Sequence, residues 1–276
     1  MLNGYRGRKI SGSLINERDT KIITLKSSEQ LELIKKAGAI TSDCLSFLSL
    51  QVQPGMTGLR IDKLADDFIQ SFGGTAACKG YDGYPASICI SVNSKAVHCI
   101  PNDVPFKPGD VVKLDLVVDY NGWKADSALT VLIPPVRPEV LKLAENTYSA
   151  MLDGIRAAIE GNTVQNISSA IYAARGDSGV VREFTGHGIG KEIHEMPQIP
   201  NYMSKDKPST LLVAGMVLCI EPIFCIGDPA IYHKKGEWDT WMFSGQPVAH
   251  FEHTLIVNPA PLPPTILTLR NNEKIF

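Results

Sequence analysis

The chain holds six cysteines (Cys44, Cys78, Cys89, Cys99, Cys219 and Cys225), yet no two of them form a Cys-x-x-Cys pair. Several lie in apolar runs and read as reduced, buried thiols, which sets aside a zinc finger or a disulfide scaffold. Long apolar runs are also missing. Stretches such as Leu211 to Ile220, which contains Gly215, stay near ten residues, whereas a membrane-spanning helix needs roughly 20. Neither sign of charge is in large excess: the formal net charge is −2, with no long Lys/Arg run and no acidic tail. That leaves no basic field for nucleic acid. The first 26 residues carry Arg6, Arg8 and Lys9 with no apolar segment behind them, so they read as a flexible, non-secretory extension too short to fold alone. The remainder, 27–276, reads as a single domain; 276 residues at 44% hydrophobic content can bury a large core. A soluble cytoplasmic monomer is the expectation, with no membrane partner and no specific nucleic-acid partner.

What the chain does have is carboxylates in apolar surroundings. Asp115 lies inside VVKLDLVV, Glu221 inside MVLCIEPIF, and Glu252 inside VAHFEHTLIV. Each run reads as a buried strand, where a lone ionised carboxylate costs several kcal/mol unless it is paired or metal-bound. Aspartate is depleted in strands, so propensity does not explain Asp115.

Along the chain the elements repeat. Helical spacing begins behind the capping residues Ser27-Ser28-Glu29-Gln30 and runs to Pro54-Gly55, and a second helix is expected over 59–72. Strands are expected at 87–92, 111–118 and 127–133, helices at 139–159 and 164–176, and strands at 216–224 and 249–257. A shift of 106 residues lays Gly55 on Gly161, Thr57 on Thr163, Ile61 on Ile167, Gly80 on Gly186, Gly109 on Gly215 and Asp115 on Glu221. This points to a duplicated α+β unit, with pseudo-repeats of about 27–135 and 136–262 and a site shared between the halves. In the first hairpin Asn121-Gly122 signals a two-residue type I′ turn. Asp115 then faces Ala128 and Asp126 faces Val117, so the two acids project from one face as diagonal neighbours.

Glycines 186, 188 and 190 in TGHGIGKEIHEMP exclude a stable helix and present His187 and His194 from closely approaching backbone. Each is as readily an ordinary hydrogen-bonded histidine as a ligand, and the same holds for His98 at the end of an apolar strand. Together Asp115, Asp126, His187, Glu221 and Glu252 supply four carboxylates and one imidazole. That set suits two divalent ions of the Mn²⁺, Fe²⁺, Co²⁺ or Zn²⁺ kind. Paired ions generate a nucleophilic hydroxide at neutral pH. Amide or ester hydrolysis is the natural class, with phosphoester hydrolysis chemically open, and His98 and His194 are left for hydrogen bonding and proton transfer.

With CKGYDGYPASICISVN at 78–93, the Asp115/Asp126 hairpin, TGHGIGKEIHEMP, GMVLCIEP and FEHT in hand, the chain resembles the type I methionine aminopeptidases of the M24 metallopeptidase family over roughly residues 28–262. The resemblance implies an α+β pita-bread fold, two pseudo-symmetric halves each with helices packed on an antiparallel sheet. It implies removal of the N-terminal methionine from nascent proteins, with a small second residue preferred. By resemblance, Asp115 and Asp126 bind metal, with Asp126 and Glu252 bridging, and His187 and Glu221 complete the set. Glu221 is also the general base, His194 stabilises the oxyanion, and His98 contacts the amide nitrogen and assists the leaving group. Cys78, Tyr81, Tyr84, Cys89 and Trp238, together with His98 and His194, would bind the substrate. Nascent N-termini are the implied partners, and the basic N-terminus gives a means of meeting the ribosome.

The chain departs from the family pattern at Cys99, where glycine is frequent, at Ile193, and at Asp82 between the two tyrosines; none removes a ligand. Only 26 residues separate His194 from Glu221, too few for the helical insertion of the type II class. Proline-specific peptidases of the same fold use a similar ligand set, but they usually carry a large N-terminal domain, and the YDGYP segment favours methionine. A pseudo-enzyme that binds protein or RNA would be expected to have lost ligands, and all five are present.

Overall fold

The computed structural model describes residues 23–203, 209–233, 236–271 and 273. Residues 1–22 of the expected N-terminal extension lie outside the described residues. The helices are α1 (Ser28–Gln51), α2 (Gly58–Ser71), α3 (Pro138–Ala157) and α4 (Val164–Ala173). The strands of the first half are β1 (Thr75–Ala76), β2 (Cys89–Val92), β3 (Val111–Tyr120) and β4 (Trp123–Leu132). Those of the second are β5 (Gly179–Val180), β6 (Thr185–Gly188), β7 (Glu195–Pro200), β8 (Val217–Ile220), β9 (Ile223–Cys225), β10 (Ile231–His233), β11 (Thr240–Met242), β12 (Val248–His250), β13 (Glu252–Ile256) and β14 (Thr265–Ile266).

Helix α1 starts where its capping box permits. The Ser27 N–H donates to Gln30 Oε1 at 2.9 Å, and the Gln30 N–H donates to Ser27 Oγ at 3.4 Å, which satisfies two otherwise orphaned donors of the first turn. Its buried face, with Ile34, Ala37, Leu45 and Leu48 fully enclosed, packs on β3 and β4. No described helix is long and apolar enough to cross a membrane.

The sheet that organises the molecule has nine antiparallel strands. Its main path is β1-β3-β4-β13-β8-β6-β7, with β2 added on β3 and β14 on β13. Smaller sheets are formed by β12-β9-β5 and by β10-β11. The Asn-Gly hairpin has the expected register: Asp115 opposes Ala128 and Val117 opposes Asp126. Asn121 and Gly122 take φ of +52° and +82°, the positive values a type I′ turn requires.

Two expected strands are corrected. The runs 216–224 and 249–257 are each broken, into β8 and β9 at Glu221-Pro222 and into β12 and β13 at Phe251, next to Glu252. In both runs the chain leaves the three-stranded sheet or joins it at the break. Pro222 has no N–H to donate to a ladder, which ends pairing beside Glu221.

The halves repeat down to single hydrogen bonds. Gly55 N–H donates to Phe106 O at 2.9 Å and Gly161 N–H to Leu212 O at 3.0 Å; Phe106 N–H donates to Met56 O and Leu212 N–H to Asn162 O, both at 2.8 Å. Each pair of bonds is offset by 106 residues. Thr57 and Thr163 cap α2 and α4, and Ile61 and Ile167 are both fully buried, each in the core of its own half. The Gly80 and Gly186 match does not carry over, because Gly80 has φ +88° in a turn and Gly186 lies within β6.

Gly55 and Gly161 take φ of +90° and +89°, and an added Cβ meets nothing within 4 Å at either. Backbone conformation alone then sets the penalty. Gly55→Ala and Gly161→Ala are each expected to lose about 1–2 kcal/mol in urea denaturation, and a large inequality between them contradicts structural equivalence.

Candidate metal centre

Five neighbouring strands converge on one cavity. In the order β3-β4-β13-β8-β6 they contribute Asp115, Asp126, Glu252, Glu221 just beyond the end of β8, and His187. Ala128 is opposed by Asp115 on one side and by Glu252 on the other, and His253 pairs with Ile220, so the acids lie nearly in one row across the sheet. The cavity, about 60 Å³, is lined by all five residues and by His98, His194, His250, Phe184 and Thr185.

Side chains on neighbouring strands hold the backbone of this row where ladder bonds are lost. Thr254 Oγ1 accepts from the Asp126 N–H at 2.9 Å and donates to the Asp126 carbonyl at 2.7 Å. Ser127 donates to the Glu252 carbonyl at 2.6 Å, Asn201 Nδ2 to the Glu221 carbonyl at 3.0 Å, and Thr130 to the His250 carbonyl at 2.8 Å. Gly186 allows the close approach of β6 to β8, since a Cβ there would stand 2.4 Å from the Cys219 carbonyl oxygen.

Electrostatics define the site more sharply than shape. Burial pushes the Asp115 carboxyl up to about 7. Asp126 is raised well above the usual range by burial and then by Glu252 and Asp115; Glu221 by burial and then Asp115; Glu252 by burial and then Glu221 and Asp115. Asp126 Oδ1 and Glu252 Oε1 are buried with no hydrogen-bond partner. Unsatisfied carboxylate oxygens crowded by like charge are what a bound cation resolves.

The imidazole is prepared for the same purpose. His187 Nδ1 donates to the Gly188 carbonyl at 2.9 Å, leaving Nε2 with its lone pair toward the cavity, 3.3 Å from Glu221 Oε1. Burial holds its pKa down at about 4, so the ring is neutral and able to ligate. Donor atoms of Asp126, His187, Cys219 and Glu252 all lie within 4.8 Å of one another. Cys219 was not expected there; burial, followed by Glu252 and Asp126, raises its thiol well above the usual range. The donor set fits divalent ions.

Two further histidines, His194 and His98, flank this centre. His194 Nδ1 is 2.9 Å from the Tyr81 hydroxyl, and its ring lies 4.5 Å from that of His187. The loop that carries it is pinned by Glu195, which pairs with the buried Lys26 ammonium at 2.6 Å and accepts from the Lys191 N–H at 2.9 Å. His98 sits at φ +58°, a conformation uncommon outside glycine that concentrates at functional sites, with its ring edge-on to Phe184 at 5.1 Å. Cys78, Tyr84 and Cys89 are buried in one cluster against which Tyr81 and Trp238 pack. Tyr84 donates its hydroxyl to the Cys99 carbonyl at 2.9 Å and meets Trp238 edge-on at 5.1 Å, so it offers a wall rather than a polar contact.

Sequence reasoning missed His250, Phe184 and Thr185 in the cavity wall. For His250 a signal exists: in the continuous strand expected over 249–257, alternation would put 250 on the same face as 252. No comparable pattern marks Phe184 or Thr185.

A raised folded-state carboxyl pKa contributes stability below the unfolded value and loses it as pH rises through the folded value. For Asp115 that window runs from its ordinary 3.8 to about 7. In chelator-treated protein Asp115→Asn is therefore expected to be more stable than the parent at pH 8, with the advantage vanishing below about pH 4. Urea denaturation at the two pH values measures it, and an Asn variant less stable at pH 8 contradicts the electrostatic reading.

Comparison with known proteins places this geometry. The model of metallopeptidase family M24 matches residues 32–259. The methionine aminopeptidase of Clostridium perfringens is 37% identical over 250 residues, 90% of this chain and 99% of that protein. The crystal structure of methionine aminopeptidase from Thermotoga maritima superposes with a TM-score of 0.86 at 31% identity, covering 90% of this chain and 99% of that one. A prolidase from Pyrococcus furiosus shares the fold at a TM-score of 0.72 but only 22% identity, with 90% of this chain covering 66% of it. Buried carboxylates on adjacent strands, pita-bread architecture and similarity over 90% of the chain agree: the chain belongs to metallopeptidase family M24, with the methionine aminopeptidases as its relatives.

Proposed function

We propose that this protein is a metal-dependent aminopeptidase that removes the N-terminal methionine from nascent polypeptides in the cytoplasm, with a small second residue preferred. The observation that carries the reading is the row of Asp115, Asp126, Glu252, Glu221 and His187 on adjacent strands, beside a sulfur- and aromatic-lined cluster. Residues 27–276 act as one catalytic domain and the protein works as a monomer.

Asp115, Asp126, His187, Glu221 and Glu252 would hold two divalent ions of the Mn²⁺, Fe²⁺, Co²⁺ or Zn²⁺ kind. When bound, such ions act as Lewis acids and lower the pKa of water enough to give a nucleophile at neutral pH. The chain's own groups do the rest. Cys78, Tyr81, Tyr84, Cys89 and Trp238 enclose the methionine side chain, whose flexible thioether packs well against sulfur and aromatic rings. Glu221 takes a proton from the attacking water and passes it to the leaving amine. The Tyr81 hydroxyl lies 2.9 Å from Nδ1 of His194; in the tautomer with the ring proton on Nε2, that nitrogen donates to the carbonyl oxygen as negative charge develops there. His98 contacts the amide nitrogen of the bond that breaks. The basic residues Arg6, Arg8 and Lys9 assist contact with the ribosome, and unchanged ribosome co-sedimentation after removal of residues 1–22 contradicts that part.

Glu221→Gln is expected to lower kcat far more than KM. His194→Ala is expected to lose about 10²–10³-fold in kcat with metal content unchanged, and loss of bound metal would make it a ligand instead. Initial rates on peptides headed Met-Ala, Met-Leu and Xaa-Pro, across the four ions, test the function. Cleavage of Met-Ala fastest is expected, and cleavage of Xaa-Pro peptides alone contradicts the assignment.

A further inference from the structure

His250 is the histidine in the cavity to which the proposed mechanism gives no role. It ends β12, opposite Ile223 on β9, and its backbone is fixed on both sides by Thr130, which accepts from its N–H at 2.9 Å and donates to its carbonyl at 2.8 Å. It is 2% exposed and lines the same cavity as the carboxylates. Neither Nδ1 nor Nε2 has a hydrogen-bond partner. Leaving a buried polar group unsatisfied costs about 1–3 kcal/mol, so an ordinary core histidine is normally paired through at least one nitrogen.

Nε2 of His250 lies 3.8 Å from Glu221 Oε2, beyond hydrogen-bond length. Oε1 of the same carboxylate lies 3.3 Å from His187 Nε2. Glu221 thus has an imidazole nitrogen opposite each of its oxygens. Two donors that each stand about 2.0–2.2 Å from a common ion are separated by roughly 3–4 Å, and both gaps fall in that range. The lone pair of His250 Nε2 and the carboxylate of Glu221 can share a cation as His187 and Glu221 can. The second ring nitrogen, which no described protein group accepts from, remains for solvent or substrate in the cavity.

We propose that His250 is a sixth protein donor of the metal centre, on the Glu221 side, and that this second imidazole biases the centre toward borderline ions such as Fe²⁺, Co²⁺ and Zn²⁺ over Mn²⁺. Imidazole suits iron and zinc, whereas carboxylate and water suit manganese. The proposal rests on the metal-centre reading and adds to it a donor and an ion preference.

The test is metal binding by the metal-stripped full chain, with competing chelators, for the parent, His250→Gln and His250→Ala. Groups that merely orient a ligand are worth about 10–100-fold in affinity, so loss of a direct donor is expected to weaken Zn²⁺ at least about tenfold and Mn²⁺ distinctly less. X-ray absorption of the zinc-loaded parent is expected to count two imidazoles per protein, from His187 and His250, and it decides the matter even where a variant folds poorly. Unchanged affinities in both variants, or a single imidazole in the parent, overturn the proposal. A raised KM with metal binding intact also overturns it and makes His250 a substrate contact. A parent that takes up no divalent ion overturns the metal-centre reading itself, a different failure from unchanged variants of a metal-binding parent.

Discussion

The burial of four carboxylates crowded around one cavity is the constraint on which the rest of this structure turns. Asp115, Asp126, Glu221 and Glu252 each have a pKa pushed upward, by burial first and, for all but Asp115, by one another next. A fold gains nothing by collecting such groups unless a cation is part of the native state. The nine-stranded sheet places them on neighbouring strands, and hydroxyl and amide clamps from Thr254, Ser127 and Asn201 hold the backbone where regular pairing stops. The electrostatic penalty of the metal-free centre is thus built into rigid elements, which is how a site retains geometry in the absence of its ligand.

Pseudo-symmetry explains why the penalty sits where it does. Each half brings two helices, its own apolar core and a hairpin-like pair of acid-bearing strands, and the strands meet through β4 and β13 at the midline of the sheet. A cavity between two similar halves is lined from both sides by the same kind of side chain. The asymmetry needed for chemistry comes from what the second half adds: His187 and His194 on the glycine-rich segment around β6, and Glu221 beside a proline that frees it from the ladder.

Much of this was legible in the sequence, for identifiable reasons. The Asn121-Gly122 turn fixes a register by local geometry, so the relation of Asp115 to Asp126 follows from the residues alone. Positive-φ glycines at 55, 109, 161 and 215 recur because the same turn is needed in both halves, and that made the 106-residue offset visible. Non-local events were not legible. Hydropathy alone makes 216–224 and 249–257 look continuous, because both of the sheets that share each run are buried. Lys26, expected in a flexible extension, is buried against Glu195, 169 residues away, a pairing no local pattern announces. His250 was hidden among apolar neighbours, although its strand parity with Glu252 was available.

The carboxylate row has the character of a cation site. Raised carboxyl pKa values mean that the metal-free centre holds protons which a divalent ion must displace. Calorimetric titration of stripped protein with Mn²⁺ or Zn²⁺, near pH 6 and in buffers of different ionisation enthalpy, measures ion uptake and proton release together. Saturable uptake with protons released is expected, the release shrinking as pH is raised. Absence of ion uptake, or uptake that persists unchanged in Asp126→Asn and Glu252→Gln, would contradict it.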